Sequence, residues 1–334
     1  MISLLRKGTV QILYPMKTIP VFKQYIWGGS NLKTLFQKEI PDDFAAESWE
    51  VSAHPAGECK IANGAYRGVL LSGVIAKLGD RFWGSRLSGC RRFPLLIKLL
   101  DANDRLSVQV HPDDTYAKVH ENGENGKNEM WYVLSAKAGA QIACGFRRDI
   151  SKREYEDAIA NGTLEELLNF IPVKAGDCFY IPAGTVHAIG AGIVIAEVQQ
   201  SSDATYRVYD YNRRDAEGNL RQLHIEKAVD VSKLSENDVK NADFPMQQIA
   251  SGIQSRLLCD CPNFRADFAK VDREAALASN PSCFEILLFT EGEGKLWFGS
   301  ESMAISGGDT VLIPAQLGKY RIEGNCGFLK IHAK

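Results

Sequence analysis

Gln109, His111, Glu129 and His187 bring together an amide, two imidazoles and a carboxylate, the donor types that hold a divalent metal. In the run Leu106-Ser107-Val108-Gln109-Val110-His111 the side chains alternate. Gln109 and His111 therefore project from one face of a strand, because strand side chains repeat every two residues. Glu129 opens the apolar run Met130-Trp131-Tyr132-Val133-Leu134, and His187 follows Phe179-Tyr180-Ile181-Pro182-Ala183-Gly184 across a tight turn. A single His beside a strand is ordinarily a hydrogen-bonded packing residue; the second imidazole, the carboxylate and the same-face Gln make a metal site the better reading. His54, His120, His224 and His332 have no such company and read as solvated or structural. Strands this far apart in sequence bring the four groups together only if the sheet closes on itself.

Two neutral imidazoles and one carboxylate leave the metal net positive, and three protein ligands leave a position open for water or substrate, the mark of a catalytic site. The same donors also form the facial triad of Fe(II) oxygenases, so the ligand types alone leave both chemistries open.

The elements that position these groups are mostly short β-runs broken by Gly, Pro and Asp, the pattern of a sandwich or barrel. Helical signals are confined. The clearest spans 151–169, where Ser151 caps the start and Glu154 completes a capping box, with Asn161-Gly162-Thr163 dividing it into two helices. Leu164, Leu167 and Leu168 share one face of the second. Further helices are expected at 224–231 and 30–37.

An internal echo organises the rest. Ala175-Gly176-Asp177-Cys178-Phe179-Tyr180-Ile181-Pro182-Ala183 returns as Gly307-Gly308-Asp309-Thr310-Val311-Leu312-Ile313-Pro314-Ala315. Glu129 likewise opens one apolar strand and Glu285 another, but Lys319 stands where the first copy has His187. The expected architecture is mostly β: two cupin-like jelly-roll β-sandwiches, with a small helical insertion at about 150–172 in the first. The domains run 1–13 (an N-terminal extension), 14–240 (catalytic) and 241–334 (cupin-like, metal-free).

With 334 residues, 45% hydrophobic and 24% charged, the chain has the composition of an ordinary globular protein. A net charge of −2 gives no electrostatic reason to expect nucleic acid or an anionic membrane as partner, whereas a small anionic substrate needs only a local cluster of Lys and Arg. Eight scattered cysteines without a Cys-x-x-Cys pair point to reduced thiols in a cytoplasm, and Cys259-Asp260-Cys261 is a weak zinc signal on its own. Arg6 and Lys7 come too early for the apolar core of a secretory signal, and no apolar run is long enough for a membrane-spanning helix.

The segments Ser107-Val108-Gln109-Val110-His111-Pro112-Asp113-Asp114, Gly126-Lys127-Asn128-Glu129-Met130-Trp131-Tyr132 and Tyr180-Ile181-Pro182-Ala183-Gly184-Thr185-Val186-His187-Ala188-Ile189 closely resemble the type I mannose-6-phosphate isomerases. So do Tyr25-Ile26-Trp27-Gly28-Gly29, Ala46-Glu47-Ser48-Trp49-Glu50-Val51-Ser52, Pro94-Leu95-Leu96-Ile97-Lys98 and the stretch from Glu197 to Val208. The likeness runs from about residue 14 to about 215, and the chain length fits the family's short bacterial branch. It implies a zinc-dependent cupin that interconverts mannose 6-phosphate and fructose 6-phosphate. The partner expected is a small-molecule sugar phosphate, and the chain a monomer or weak homo-oligomer. The likeness further implies one Zn2+ per chain, held by His111, Glu129 and His187 with Gln109 as a further ligand, and an active-site arginine at Arg207 with a carboxylate at Glu197. This context argues against the oxygenase. A sugar-phosphate-binding paralogue without turnover is the alternative.

Aldose to ketose conversion through a cis-enediol needs an acid/base group and a cation facing the developing oxyanion. Glu197 and Lys127 are the acid/base candidates, with a metal-bound water as rival, and Arg207 or the metal supplies the positive charge. Glu197 reads equally as the partner of Arg207 in a buried ion pair. Lys98, inside an apolar strand, requires a partner and belongs in the pocket. Ser107, Lys127 and Arg207 are candidates for the phosphate, and Trp27 and Trp49 for a wall against the sugar. Asp113 and Asp114 are the acceptors nearest in sequence for the second ring nitrogen of a ligating His.

Overall fold

The computed structural model describes residues 13–214, 218–236, 239 and 241–334; of the expected extension 1–13, only Leu13 falls among them. Two antiparallel sheets face each other in the first unit. The larger runs, edge to edge, Cys178–Ile181, Glu129–Ala136, Ile193–Gln200, Leu95–Ala102, Glu47–Val51, Val21–Lys23. The smaller runs Leu168–Pro172, Gln141–Phe146, His187–Ile189, Val108–Val110, Tyr206–Tyr209.

Alternation assigns the side chains of the larger sheet to two cores. Leu100, Ala102, Trp131, Val133, Ile193 and Ile195 turn inward and pack with Ile142, Cys144 and Ile189 of the smaller sheet. Leu95, Ile97, Leu99, Met130, Tyr132, Val194, Ala196 and Val198 turn outward and pack with Phe264, Ile286, Leu288, Leu329 and Ile331 of the C-terminal unit. The strands Leu95–Ala102 and Ile193–Gln200 are therefore buried along their whole length, including their polar residues Lys98, Asp101, Glu197, Gln199 and Gln200.

Among the described residues the C-terminal unit supplies eight strands of a ten-stranded sheet, whose strands Glu285–Phe298 and Lys319–Ala333, 14 and 15 residues long, span two halves around a core of Leu287, Phe289, Leu296, Ile305, Val311 and Phe328. The chain is thus mostly β, built from antiparallel sandwiches, as the echo implies. The strand Met16–Ile19, placed by the sequence reading in the catalytic unit, pairs both with Lys60–Ile61 of that unit and with Thr310–Ile313 of the C-terminal one. The units are interleaved at this end, because Met16 finds its apolar neighbours in the shared core.

Helices occur where expected at Asn31–Phe36, Lys152–Asn161 and Ile225–Val231. The second half of the expected insertion is not a helix. Gly162 closes the first helix at φ 70°, a 3-10 turn covers Leu164–Glu166, and Leu168–Pro172 pairs as a strand with Gln141–Phe146. Leu164, Leu167 and Leu168 do share one core, but they reach it from a turn and a strand. The sequence reading also lacks the helices Leu71–Leu78, Asp80–Trp83 and Asp114–His120. In the last, Asp113 caps the helix by accepting the Tyr116 N–H at 2.8 Å.

Candidate active site

Strand register sets the site. On the smaller sheet Gln109 is paired with His187 on one side and Arg207 on the other, giving a row His187, Gln109, Arg207. On the larger sheet Lys98 pairs with Trp49 and Glu197, and Glu197 with Trp131, giving a row Trp49, Lys98, Glu197, Trp131. Glu129 lies one inward position along its strand from Trp131. The interior of the sandwich is therefore apolar at one end and ionisable at the other.

His111, Glu129 and His187 converge there, one ligand atom of each lying within 4.8 Å of the others. All three are buried. His111 Nδ1 donates to the Ala204 carbonyl at 3.0 Å and His187 Nδ1 to the Thr185 carbonyl at 2.8 Å. These bonds fix both tautomers and leave the Nε2 lone pairs turned into the cluster, 3.2 and 3.7 Å from the Glu129 oxygens, with Lys127 Nζ 3.2 Å from that of His111. The acceptors are backbone carbonyls, not Asp113 or Asp114; Asp114 accepts instead from the Gly126 N–H and the Gln200 amide. Gly184 makes the turn before His187 with φ 86°, and a Cβ there would stand 2.9 Å from the Val231 carbonyl oxygen.

The donor set fits a divalent cation. Neither oxygen of Glu129 has a well-formed hydrogen bond, although Lys127 Nζ is an ion-pair partner 2.7 Å from Oε1. Two imidazole lone pairs and an under-satisfied carboxylate converge there; the Lys127 ammonium, 3.2 Å from His111 Nε2, offsets part of that negative potential, and the donor types left facing one another are those of a metal site. Burial pushes His111 down to about 3 and also lowers His187, which keeps both rings neutral, as ligation requires. Burial opposes ionisation of Glu129, but Lys127 and the imidazoles outweigh it and hold its carboxyl well below the usual range. The Gln109 side chain reaches the cluster, its amide nitrogen 3.3 Å from His187 Nε2.

A cavity of about 330 Å3 opens beside this cluster. Trp27, Lys98, Ser107, Gln109, Lys127, Glu197 and Arg207 all line it, so each expected catalytic or substrate residue reaches one space, and Gln109 and Lys127 link that space to His187 and Glu129. Glu197 is paired with Lys98 at 3.1 Å and accepts the Trp131 indole N–H at 3.0 Å; the expected pairing with Arg207 is not formed. Burial and the charge of Glu129 raise its pKa, with Lys98 opposing them. Arg207 donates through Nη1 to the Gln222 carbonyl at 2.7 Å, and its Nε is buried without a partner.

Lys23, Tyr25, Glu47, Asp203, Thr205 and Arg221 also line the cavity and escaped the sequence reading. Glu47 had a signal, since in Glu47-Ser48-Trp49 it shares the inward face with Trp49. His224 is not free of company either: its Nδ1 accepts the Arg207 backbone N–H at 3.2 Å, bracing that strand. His54 proves to stand between Glu124 and Asp203.

Known proteins resemble this chain over nearly its whole length. Residues 16–149 match the family "Phosphomannose isomerase type I, catalytic domain" and residues 256–333 match "Mannose-6-phosphate isomerase, cupin domain". The mannose-6-phosphate isomerase of Streptococcus mutans is 42% identical over 92% of this chain and 95% of its own. That of Bacillus subtilis is 40% identical over 93% and 96%. A crystal structure of the mannose 6-phosphate isomerase from Bacillus subtilis superposes with a TM-score of 0.89 at 37% identity, over 95% of this chain and 99% of that one. A zinc-bound mannose 6-phosphate isomerase shares the fold with a TM-score of 0.75 at 17% identity, over 96% and 99% of the two chains. With sequence, fold and the convergent His, Glu, His cluster in agreement, this chain belongs to the type I mannose-6-phosphate isomerase family of enzymes.

Proposed function

We propose that the chain interconverts mannose 6-phosphate and fructose 6-phosphate by proton transfer between C2 and C1 through a cis-enediol. The observation that carries this reading is the single cavity in which a raised-pKa carboxylate, Glu197, stands with Lys98, Lys127 and Arg207 beside the His111, Glu129, His187 cluster. One Zn2+ per chain would be held by those three residues, with Gln109 as a fourth ligand once its amide turns its oxygen inward. Bound there, the ion supplies Lewis acidity toward a sugar oxygen.

The chain's own groups do the rest. Glu197, buried and held between Lys98 and Trp131, is placed to take the C2 proton and return it at C1, and Lys127 is placed to move a proton at the neighbouring oxygen. Arg207 faces the negative charge that develops on the substrate. Ser107 and Arg207 bind the phosphate, and Trp27, stacked on Tyr25 with ring centres 5.7 Å apart, forms the wall against the sugar. Lys127 is less available for the phosphate because Glu129 already neutralises it. A coupled assay for fructose 6-phosphate on wild type and His187→Ala tests the reading. Turnover by the wild type, with loss of both metal and activity in the variant, supports it; binding of mannose 6-phosphate without turnover by the wild type would assign a binding paralogue instead.

A further inference from the structure

His54, Glu124 and Asp203 form a second cluster of metal-ligating residue types. The ring tautomer argues against a metal there. His54 Nδ1 accepts the Ala56 backbone N–H at 3.2 Å, so its lone pair is committed and the ring proton sits on Nε2. That buried N–H has no acceptor within hydrogen-bond reach and is nearly equidistant from two carboxylates on one side of it, 3.7 Å from Glu124 Oε2 and 3.8 Å from Asp203 Oδ1. A donor facing two anions is a clamp, not a ligand.

The clamp joins two loops that serve the site. Glu124 belongs to the loop that leads into Lys127 and Glu129, and Asp203 to the loop 201–205, whose Ala204 carbonyl orients His111. The loops are also tied by Asn125 donating to the Ser201 carbonyl at 3.0 Å and Ser202 donating to the Asn125 carbonyl at 2.8 Å. Of His54, Glu124 and Asp203, only Asp203 lines the catalytic cavity, whose wall also carries Lys23, Arg207 and Arg221. His54 and Glu124 line a separate cavity of about 540 Å3, so the imidazole stands in the partition between the two spaces.

We propose that His54 is a positioning residue that holds the Asp203 carboxylate in the cavity wall and so keeps it from pairing with the cations that receive the substrate phosphate. The proposal rests on the isomerase reading for the identity of that phosphate. Released from His54, an exposed carboxylate beside Lys23, Arg207 and Arg221 competes with a dianion for the same positive charge. The defect should thus appear in substrate affinity and depend on the charge of Asp203.

The test compares wild type, His54→Ala, His54→Gln, Asp203→Asn and the His54→Ala/Asp203→Asn double variant, all metal-loaded. His54→Ala is expected to raise KM for mannose 6-phosphate roughly tenfold, the scale of one competing charge placed near the phosphate, with little change in kcat or metal content. His54→Gln, which keeps a donor near the Nε2 position, should recover most of the affinity. In the double variant KM should fall back to that of Asp203→Asn alone, because the competing anion is gone. Amide hydrogen exchange in 201–205 should quicken in His54→Ala and slow again in His54→Gln. A KM defect that persists at full size in the double variant, or exchange that does not respond to His54, overturns the proposal. A wild type that binds mannose 6-phosphate without isomerising it overturns the isomerase reading instead, and the exchange and binding measurements still judge His54.

Discussion

Lys98 and Glu197 occupy directly paired positions on adjacent strands of the larger sheet and meet as a buried ion pair, Nζ to Oε2 at 3.1 Å, in the wall of the catalytic cavity. Glu47 approaches the same ammonium at 3.6 Å from the next strand, so one cation faces two carboxylates. Burial works against the Lys98 ammonium, but Glu47, Glu197 and Glu129 outweigh it and raise its pKa. Glu197 is left in the complementary position: burial and Glu129 raise its pKa while Lys98 restrains the rise. A carboxyl balanced in this way is suited to gain and lose a proton during turnover.

Lys98→Met removes the restraint without removing the carboxyl. The pKa of Glu197 then rises further, and since the reaction requires its ionised form, the acid limb of the kcat/KM profile should move to higher pH. Stability should fall as well, because Glu47 and Glu197 lose their shared counter-ion. The pH dependence of kcat/KM in wild type and variant measures the shift, and an acid limb that stays in place would remove Glu197 as the base.

Glu197→Gln keeps an oxygen for the Trp131 indole N–H but cannot exchange a proton. A loss in kcat of about a hundredfold or more is expected, the usual contribution of a positioned acid/base group. Metal content should stay at the wild-type level, because Glu197 is not among the His111, Glu129, His187 donors. Metal analysis beside the rate measurement separates a lost base from a damaged metal site.

Much of this arrangement was legible before the fold was known, because it depends on period-two alternation. Gln109 and His111, or Glu129 and Trp131, share faces by arithmetic, and the register of an antiparallel sheet then brings the rows together. The Gly-Asp to Ile-Pro-Ala echo likewise exposed a second unit. What stayed hidden depends on contacts between distant segments. Nothing local to Glu197 says that its partner is Lys98 and not Arg207. The strand at Met16–Ile19 joins the other unit's sheet for packing reasons that its own four residues do not carry. His54 looked solitary because Glu124 and Asp203 reach it from loops far along the chain.

The C-terminal unit offers a control. Glu285 stands at the echo position of Glu129, buried, with Lys330 Nζ 2.7 Å from Oε1 and its other oxygen without a partner. Burial raises its pKa, with Lys330 opposing. A carboxyl raised in the folded state contributes stability that is present at acid pH and lost as the pH climbs through its folded value. Glu285→Gln, neutral throughout, should therefore gain in melting temperature relative to wild type as the pH is raised across the weakly acidic range, with turnover and metal content unchanged. Loss of a bound metal in this variant would show that the second unit carries a site after all.

Lys127 supplies the least intuitive expectation. Its ammonium lies 2.7 Å from Glu129 Oε1 and 3.2 Å from His111 Nε2, so it already supplies positive charge to the donor cluster. A divalent ion must share Glu129 with this neighbour and is repelled by it, since like charges at such separations interact strongly away from bulk water. Lys127→Met removes the competitor while leaving the His111, Glu129, His187 set and both backbone acceptors in place. The variant should hold its metal more tightly, losing it to a chelator several-fold more slowly, the scale of one charge interaction near a protein surface. It should also be nearly inactive, because the ammonium that moves the proton is gone. Tight metal with lost turnover assigns Lys127 to catalysis at a cost in metal affinity; faster metal loss would mean that Lys127 supports the ligand set instead, and its place in the chemistry would have to be given up.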